Sequence, residues 1–346
     1  MARGLVRAAA YLPRFTTGAG RLGGFDEDAT TLAAAALELL TGNDPRIEGE
    51  LRIETVGIPE PVDPALLAAV LGGTTAVPKP APAPLGLREV LLKALGSSGP
   101  EWVVATAVQA DGPEAPPLPF PGEGAAALLI DDRPEADPQV LAAILDRARA
   151  GSLTPLEPLF AQYRADPGRS VWSGAWRAAP GSGVVPPFPG GRRPVSRSTV
   201  SQGAFVPPSR DEESRRSRWA FIADRCDTCG VRTFPARGRC RGCGETLRLR
   251  PERLPRQGLT VVARTWIGQG GQPTEFDPQV EACGPYGVVL ADADQDVRVT
   301  LAVADLAPEQ VTVGSKVDTA FRRLYSIDGL WRYGRKAVPV RSDDRS

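Results

Sequence analysis

Histidine is absent from the 346 residues of this chain. Without an imidazole there is no Ser-His-Asp triad, no Cys-His pair and no His-ligated catalytic metal. Cysteine is nearly as scarce: there are 5, and residues 1–225 hold none, which excludes a thiolate nucleophile from the first two thirds. Long apolar runs are missing too. The longest, TLAAAALELL, is about half of the roughly 20 residues a membrane span needs, and it carries Glu38. The opening MARGLVRAAAYLPRF breaks its apolar stretch with Arg7 and Arg14, which makes a poor signal peptide. A soluble, cytoplasmic chain with no membrane partner is expected.

Four of the 5 cysteines fall together in RCDTCGVRTFPARGRCRGCG: Cys226 and Cys229, then ten residues, then Cys240 and Cys243. A glycine follows the second cysteine of each pair. A tight C-x-x-C-G turn points two thiolates and several backbone N–H groups at one spot, and two such turns supply the four sulfurs that tetrahedral zinc prefers. A full thiolate set keeps no open coordination position, so the pattern predicts structural zinc, one per chain. Iron and a redox pair are the competing readings. Two disulfides would need an oxidising compartment. The odd cysteine, Cys283 in EACGPYG, has no histidine to activate it, and its role stays open.

Formal charge sums to zero, yet it is segregated. Residues 1–190 carry a net −7, residues 191–256 a net +9 and residues 257–346 a net −2. The basic block fits a landing site for phosphates, of nucleic acid or of coenzyme A, or else a solvated, arginine-biased linker. With 37 Gly and 35 Pro, irregular connections are expected.

The first 165 residues alternate strand and helix patterns. GLVRAAAYLP, LRIETVGI, EWVVATAVQA and GAAALLIDD read as strands. FDEDATTLAAAALELLTG, DPALLAAVLGG with Asp63 as cap and Pro64 at its first position, GLREVLLKALGSSG and DPQVLAAILDRARAG read as helices. A layered α/β domain follows. GAGRLG places Gly18, Gly20 and Gly23 in the dinucleotide-binding spacing. RFTT intervenes before it, however, and the acid expected at the second strand's tip is missing, so it reads as a flexible loop. Asp131 and Asp132 read as a strand end followed by a helix cap. Residues 166–218 are rich in Pro, Gly, Ser and Arg and read as a linker, which Trp172 and Trp176 could tether at its start. After the cysteines, GLTVVARTWIG, YGVVLADAD, VRVTLAVAD, KVDTAFRRLY and LWRYGRKAVPV read as five strands of a small closed barrel. Asp292, Asp294 and Asp296 begin like a calcium loop. Val297 and Val303 stand where its glycine and bidentate glutamate belong, so a hairpin turn is expected.

The cysteine segment, followed by RQGLTVVART and APEQVTVGSKVDTAFRRLYSIDGLWRYGRKAVPV, resembles the acyl-CoA-associated zinc-ribbon/OB-fold family over about residues 215–342. AAYLPRF, DEDATTLAAAALELL and GEGAAALLIDD are similar to the opening half of a thiolase-like, hydroxymethylglutaryl-CoA synthase-like domain, without that family's reactive cysteine and histidine. Together they imply an α+β multidomain chain: a degenerate thiolase-like half domain (1–165), a linker (166–218), a zinc ribbon (219–256) and a five-stranded OB-fold barrel (257–342). The resemblance implies a non-catalytic accessory subunit in lipid metabolism that binds a thiolase-like or hydroxymethylglutaryl-CoA synthase-like enzyme and helps position an acyl-CoA. Arg323, Tyr325, Trp331, Tyr333 and Lys336 are its candidate acyl-CoA contacts. Homodimer and heterotetramer are the assemblies to expect. The alternative is a nucleic-acid-binding ribbon and barrel, which the net acidity of the barrel block disfavours.

Overall fold

The computed structural model describes residues 3–12, 15–17, 20–22, 27–41, 50–56, 62, 64–71, 87–107, 124–134, 136–147, 176–178, 214–268, 270–277, 279–280, 284–294, 296–306, 310–327 and 330–340. They belong to two compact units, Met1–Arg192 and Arg193–Ser346.

The first unit runs β1 (Gly4–Leu12), β2 (Phe15–Thr17), β3 (Gly20–Leu22), α1 (Ala29–Thr41), β4 (Glu50–Val56), α2 (Pro64–Val70), α3 (Leu87–Leu95), β5 (Glu101–Ala107), β6 (Gly124–Asp131), α4 (Pro138–Arg147) and β7 (Trp176–Ala178). Five strands form one mixed sheet in the order β4-β5-β6-β1-β7. β6 is antiparallel to both of its neighbours, whereas the β4–β5 and β1–β7 pairs are parallel. Leu5, Ala8, Val103, Ala105, Ala126, Leu128 and Ile130 pack against Val90, Leu91 and Ala94 of α3 and Val140, Leu141 and Ile144 of α4. Helix α1 also lies on β1, β5 and β6 and buries 11 of its 13 residues. Burial on both faces is why these strands read as unbroken apolar runs. The start of α1 is closed reciprocally: the Thr31 N–H donates to Asp28 Oδ1 at 2.8 Å, and the Asp28 N–H donates to Thr31 Oγ1 at 2.7 Å.

Three expectations change. Part of GAGRLG is no plain loop, because Gly20–Leu22 pairs with Phe15–Thr17 as an antiparallel hairpin. Trp176–Ala178, inside the stretch read as a linker, is a strand paired with Ala10–Leu12, so the tether expected at Trp176 is made by backbone and the linker reading changes there. A sheet edge offers unpaired N–H and C=O groups to any extended segment, and three residues are too few to display a period. Asp131 does end β6, where its carboxylate accepts the Asp132 N–H and meets Arg133 Nε at 2.5 Å. The cap of α4 is instead Asp137, whose Oδ1 accepts from Gln139 and Val140. Asp63, Trp172 and Cys283 lie outside the described residues.

In the second unit, β8 (Ile222–Cys226), β9 (Arg232–Thr233) and β10 (Leu249–Arg253) form a three-stranded ribbon in the order β10-β8-β9. β11 (Leu259–Ile267), β12 (Tyr286–Asp294), β13 (Val297–Val303), β14 (Lys316–Ile327) and β15 (Leu330–Pro339) close a barrel in the order β11-β12-β13-β15-β14. All five expected strands are present. β13 shows why they were legible: Val297, Val299, Leu301 and Val303 are buried while Arg298 and Thr300 are exposed. Phe221, Ala223 and Leu254 of the ribbon segment share the barrel's core with Val261, Val289, Val299, Val317 and Ala337, so the ribbon is rooted in the barrel. Trp219 packs edge-on to Phe321 at 6.1 Å and donates its indole N–H to the Tyr333 carbonyl at 2.9 Å. No helix among the described residues is long and apolar enough to cross a membrane.

Candidate metal centre

The two C-x-x-C turns fold alike because each solves the same backbone problem. In the first, the Cys226 N–H donates to the Val231 carbonyl at 3.0 Å, and the Gly230 N–H returns to the Cys226 carbonyl at 2.8 Å. In the second, Cys240 donates to Glu245 at 2.8 Å and Gly244 returns to Cys240 at 3.1 Å. Each return needs a left-handed residue, and Gly230 (φ 76°) and Gly244 (φ 79°) supply it without a Cβ penalty. The glycine after each cysteine pair therefore sets the turn.

These turns bring four Sγ atoms within 4.8 Å of one another. Cys226 Sγ lies 3.6 Å from Cys243 Sγ, and Cys229 Sγ 3.5 Å from Cys240 Sγ. None of the four is in a disulfide. A tetrahedral ion with sulfur ligands at about 2.3 Å spaces its sulfurs at about 3.8 Å, so the set fits a divalent ion. Electrostatics point the same way. The Cys243 N–H holds the Cys240 thiol down at about 6, against the cost of burial and with help from the Gly242 N–H. Cys243 accepts an N–H from Glu245, yet the crowding thiol of Cys229, burial and the other two thiols push it up to about 12. One thiolate raises the cost of the next, and a cation at the site removes that cost at neutral pH.

The clamp is tied to the barrel through Arg232. Its Nε meets Glu252 Oε1 at 2.7 Å, and its Nη1 reaches Asp296 Oδ1 at 3.2 Å and Asp294 Oδ2 at 3.4 Å. The Arg232 N–H also donates to Asp296 Oδ2 at 3.1 Å, and Arg241 donates to the Asp296 carbonyl. Asp294 and Asp296 sit at the β12–β13 hairpin, so two members of the calcium-like run anchor the ribbon. Asp292 pairs with Arg298 at 2.7 Å. Sequence reasoning missed the Arg232 hub, since nothing local connects it to carboxylates 20 and 64 residues away.

The candidate acyl-CoA residues all lie on β14 and β15. Arg323 stands opposite Tyr333, and its guanidinium lies 4.4 Å from the Trp331 ring centroid. Tyr333 stacks on Phe321 at 5.5 Å. Strand alternation puts Arg323, Trp331 and Tyr333 on one side of the hairpin, together with core residues Val317 and Ala337. A register shift after Arg323 turns Tyr325 to the other side, where it meets Phe276 at 5.3 Å. Lys336, opposite Ala320, also belongs to that other side. Arg323 and Lys336 are buried, at 1% and 2% exposure, whereas Tyr325, Trp331 and Tyr333 are half-buried. The structure thus brings three of the five together and separates the other two from them.

Taken together, these features define a C-terminal unit that is a cysteine-clamped β-ribbon rooted in a closed five-stranded barrel. The chain has relatives among proteins called DUF35 domain-containing scaffold proteins. That of Methanocaldococcus jannaschii is 28% identical over 127 residues, 36% of this chain and 85% of the relative. That of Methanothermobacter thermautotrophicus is 26% identical over 124 residues, 35% of this chain and 88% of the relative. No family profile matches. Among solved structures, the Ltp2-ChsH2(DUF35) aldolase is 19% identical with a TM-score of 0.28, covering 37% of this chain and 89% of that one. An HMG-CoA synthase complexed with CoA is 14% identical with a TM-score of 0.30, covering 40% and 43%.

Proposed function

We propose that this chain is a non-catalytic accessory subunit that binds a thiolase-like acyl-CoA enzyme and helps position its thioester. The observation that carries the reading is the donor set: four cysteine sulfurs converge in a chain without histidine. Such a set fills every position of a tetrahedral ion, which we take to be zinc, and it holds a fold together without activating water. That the relatives are called scaffold proteins supports this reading. The ribbon and barrel are then a zinc ribbon and an OB-type barrel, and the first unit is a degenerate thiolase-like half domain that offers a docking surface. Within the acyl-CoA set, the buried Arg323 and Lys336 serve the hairpin. The half-buried rings of Trp331 and Tyr325 are the surface left to meet a ligand.

The test is affinity purification of the full chain from its native cell, with metal quantified. The expected result is a thiolase-like partner and about one zinc per chain, with Cys229→Ser losing both. Nucleic acid bound with steeply salt-dependent affinity, and no such partner, would overturn the reading. So would turnover of an acyl-CoA by the isolated chain.

A further inference from the structure

Within each C-x-x-C pair the first cysteine is buried and the second exposed. The clamp therefore has an inner, buried side and an outer side in solvent. On the outer side stands Leu247, 91% exposed. A lone surface leucine is ordinary, but this one is carried by a braced loop. One oxygen of Glu245 accepts the N–H groups of Thr246 and Leu247, both at 2.8 Å, and the other accepts the Thr228 hydroxyl at 3.3 Å. The Asp227 N–H then fixes the Arg248 carbonyl at 2.9 Å. Backbone on both sides of Leu247 is thus held before any partner arrives, which lowers the ordering cost of binding. Its surroundings are basic: Arg239 lies against Gly244, Arg248 is adjacent and exposed, and Arg250 pairs with Asp227 at 2.9 Å on the same surface.

We propose that this outer face is a protein-docking surface, with Leu247 entering an apolar socket whose rim carries carboxylates for Arg239 and Arg248. The proposal rests on the accessory-subunit reading, and the occupant is the thiolase-like enzyme. Charge and shape favour protein over nucleic acid. Arg225 and Arg232 are paired with Glu252, and Arg250 with Asp227, so carboxylates are interleaved with the arginines where a phosphate chain would have to run, and a leucine has no ring to stack on a base. One apolar side chain also falls short of the broad apolar face a membrane surface requires.

A photo-crosslinking amino acid at position 247 of the full chain, in the native cell, should form an adduct with the thiolase-like enzyme at a peptide containing Asp or Glu. In the purified pair, Leu247→Asp should speed dissociation about tenfold or more. Val313→Asp, at a site 64% exposed on the barrel, should change it less than about twofold. Arg248→Glu should slow association and flatten its salt dependence. All three variants should keep the metal content of the parent. Equal effects of Leu247→Asp and Val313→Asp would overturn the surface, as would crosslinks to nucleic acid or lipid, or none at all. A thiolase-like enzyme retained unchanged by Leu247→Asp sinks this surface alone. A crosslink into a carboxylate-rimmed socket of a different protein keeps the surface and sinks the thiolase reading.

Discussion

Four thiols held within 4.8 Å of one another do not all shed their protons at neutral pH unless a cation shares the site, because Cys243 is pushed up to about 12. In the metal-free chain, thiolate absorbance should rise with a first step near pH 6, from Cys240, while Cys243 keeps its proton until about pH 12. The signs follow from these two values. Cys240 is depressed from 9.0, so its contribution to the ribbon is present above that ordinary value and lost as pH falls through about 6. Cys243 is raised, so its contribution is present below 9.0 and lost as pH climbs toward about 12. Adding zinc at neutral pH should release protons and merge the four into one metal-linked step, readable by absorbance and proton-release titration. Four independent thiols titrating near 9 would contradict the geometry. At this scale the sequence was nearly sufficient, because the ligands and their left-handed glycines lie within 19 consecutive residues.

At the scale of elements, the ribbon and the β12–β13 hairpin meet through Arg232, whose partners are two-thirds or more buried. Arg232→Met keeps the side chain's apolar length but strands Glu252 and Asp296. It should cost about 1–3 kcal/mol in the unfolding of the metal-loaded chain. Amide exchange at the hairpin should quicken while metal content stays constant; unchanged exchange would mean that the core contacts of Phe221 and Leu254 hold the ribbon by themselves. Burial pushes the carboxyls of Glu252 and Asp296 up, but the Arg232 contacts outweigh it and hold both below the usual carboxylate range. Their contribution is thus present above that range and lost as pH falls through it, so acid should loosen the same hairpin. The barrel strands were legible from period-two alternation, as VRVTLAV shows. Their attachment to the ribbon was not, because an arginine's charge does not say which of many distant carboxylates will face it.

For the whole molecule, each of the two units closes its own apolar core. Leu128→Ala, within the first unit's sheet, should destabilise that unit by about 2–5 kcal/mol without lowering metal content. Chelation should instead lower the unfolding temperature of the unit carrying the clamp, as calorimetry can measure; a chelator that shifted only the Leu128 unit would refute this division. The first unit's alternation of strands and helices came from hydrophobic pattern alone. The pairing of Trp176–Ala178 with β1 did not, since a three-residue strand carries no periodic signal. Sequence by itself determined the four-sulfur clamp, the five barrel strands and the exclusion of histidine chemistry, because spacing, alternation and absence are local or countable. Only the tertiary structure decided that Arg323 and Lys336 are buried, that Asp294 and Asp296 anchor a ribbon, and that Leu247 stands outside. Burial and charge pairing are properties of which surfaces meet, and residues far apart along the chain meet only once it has folded.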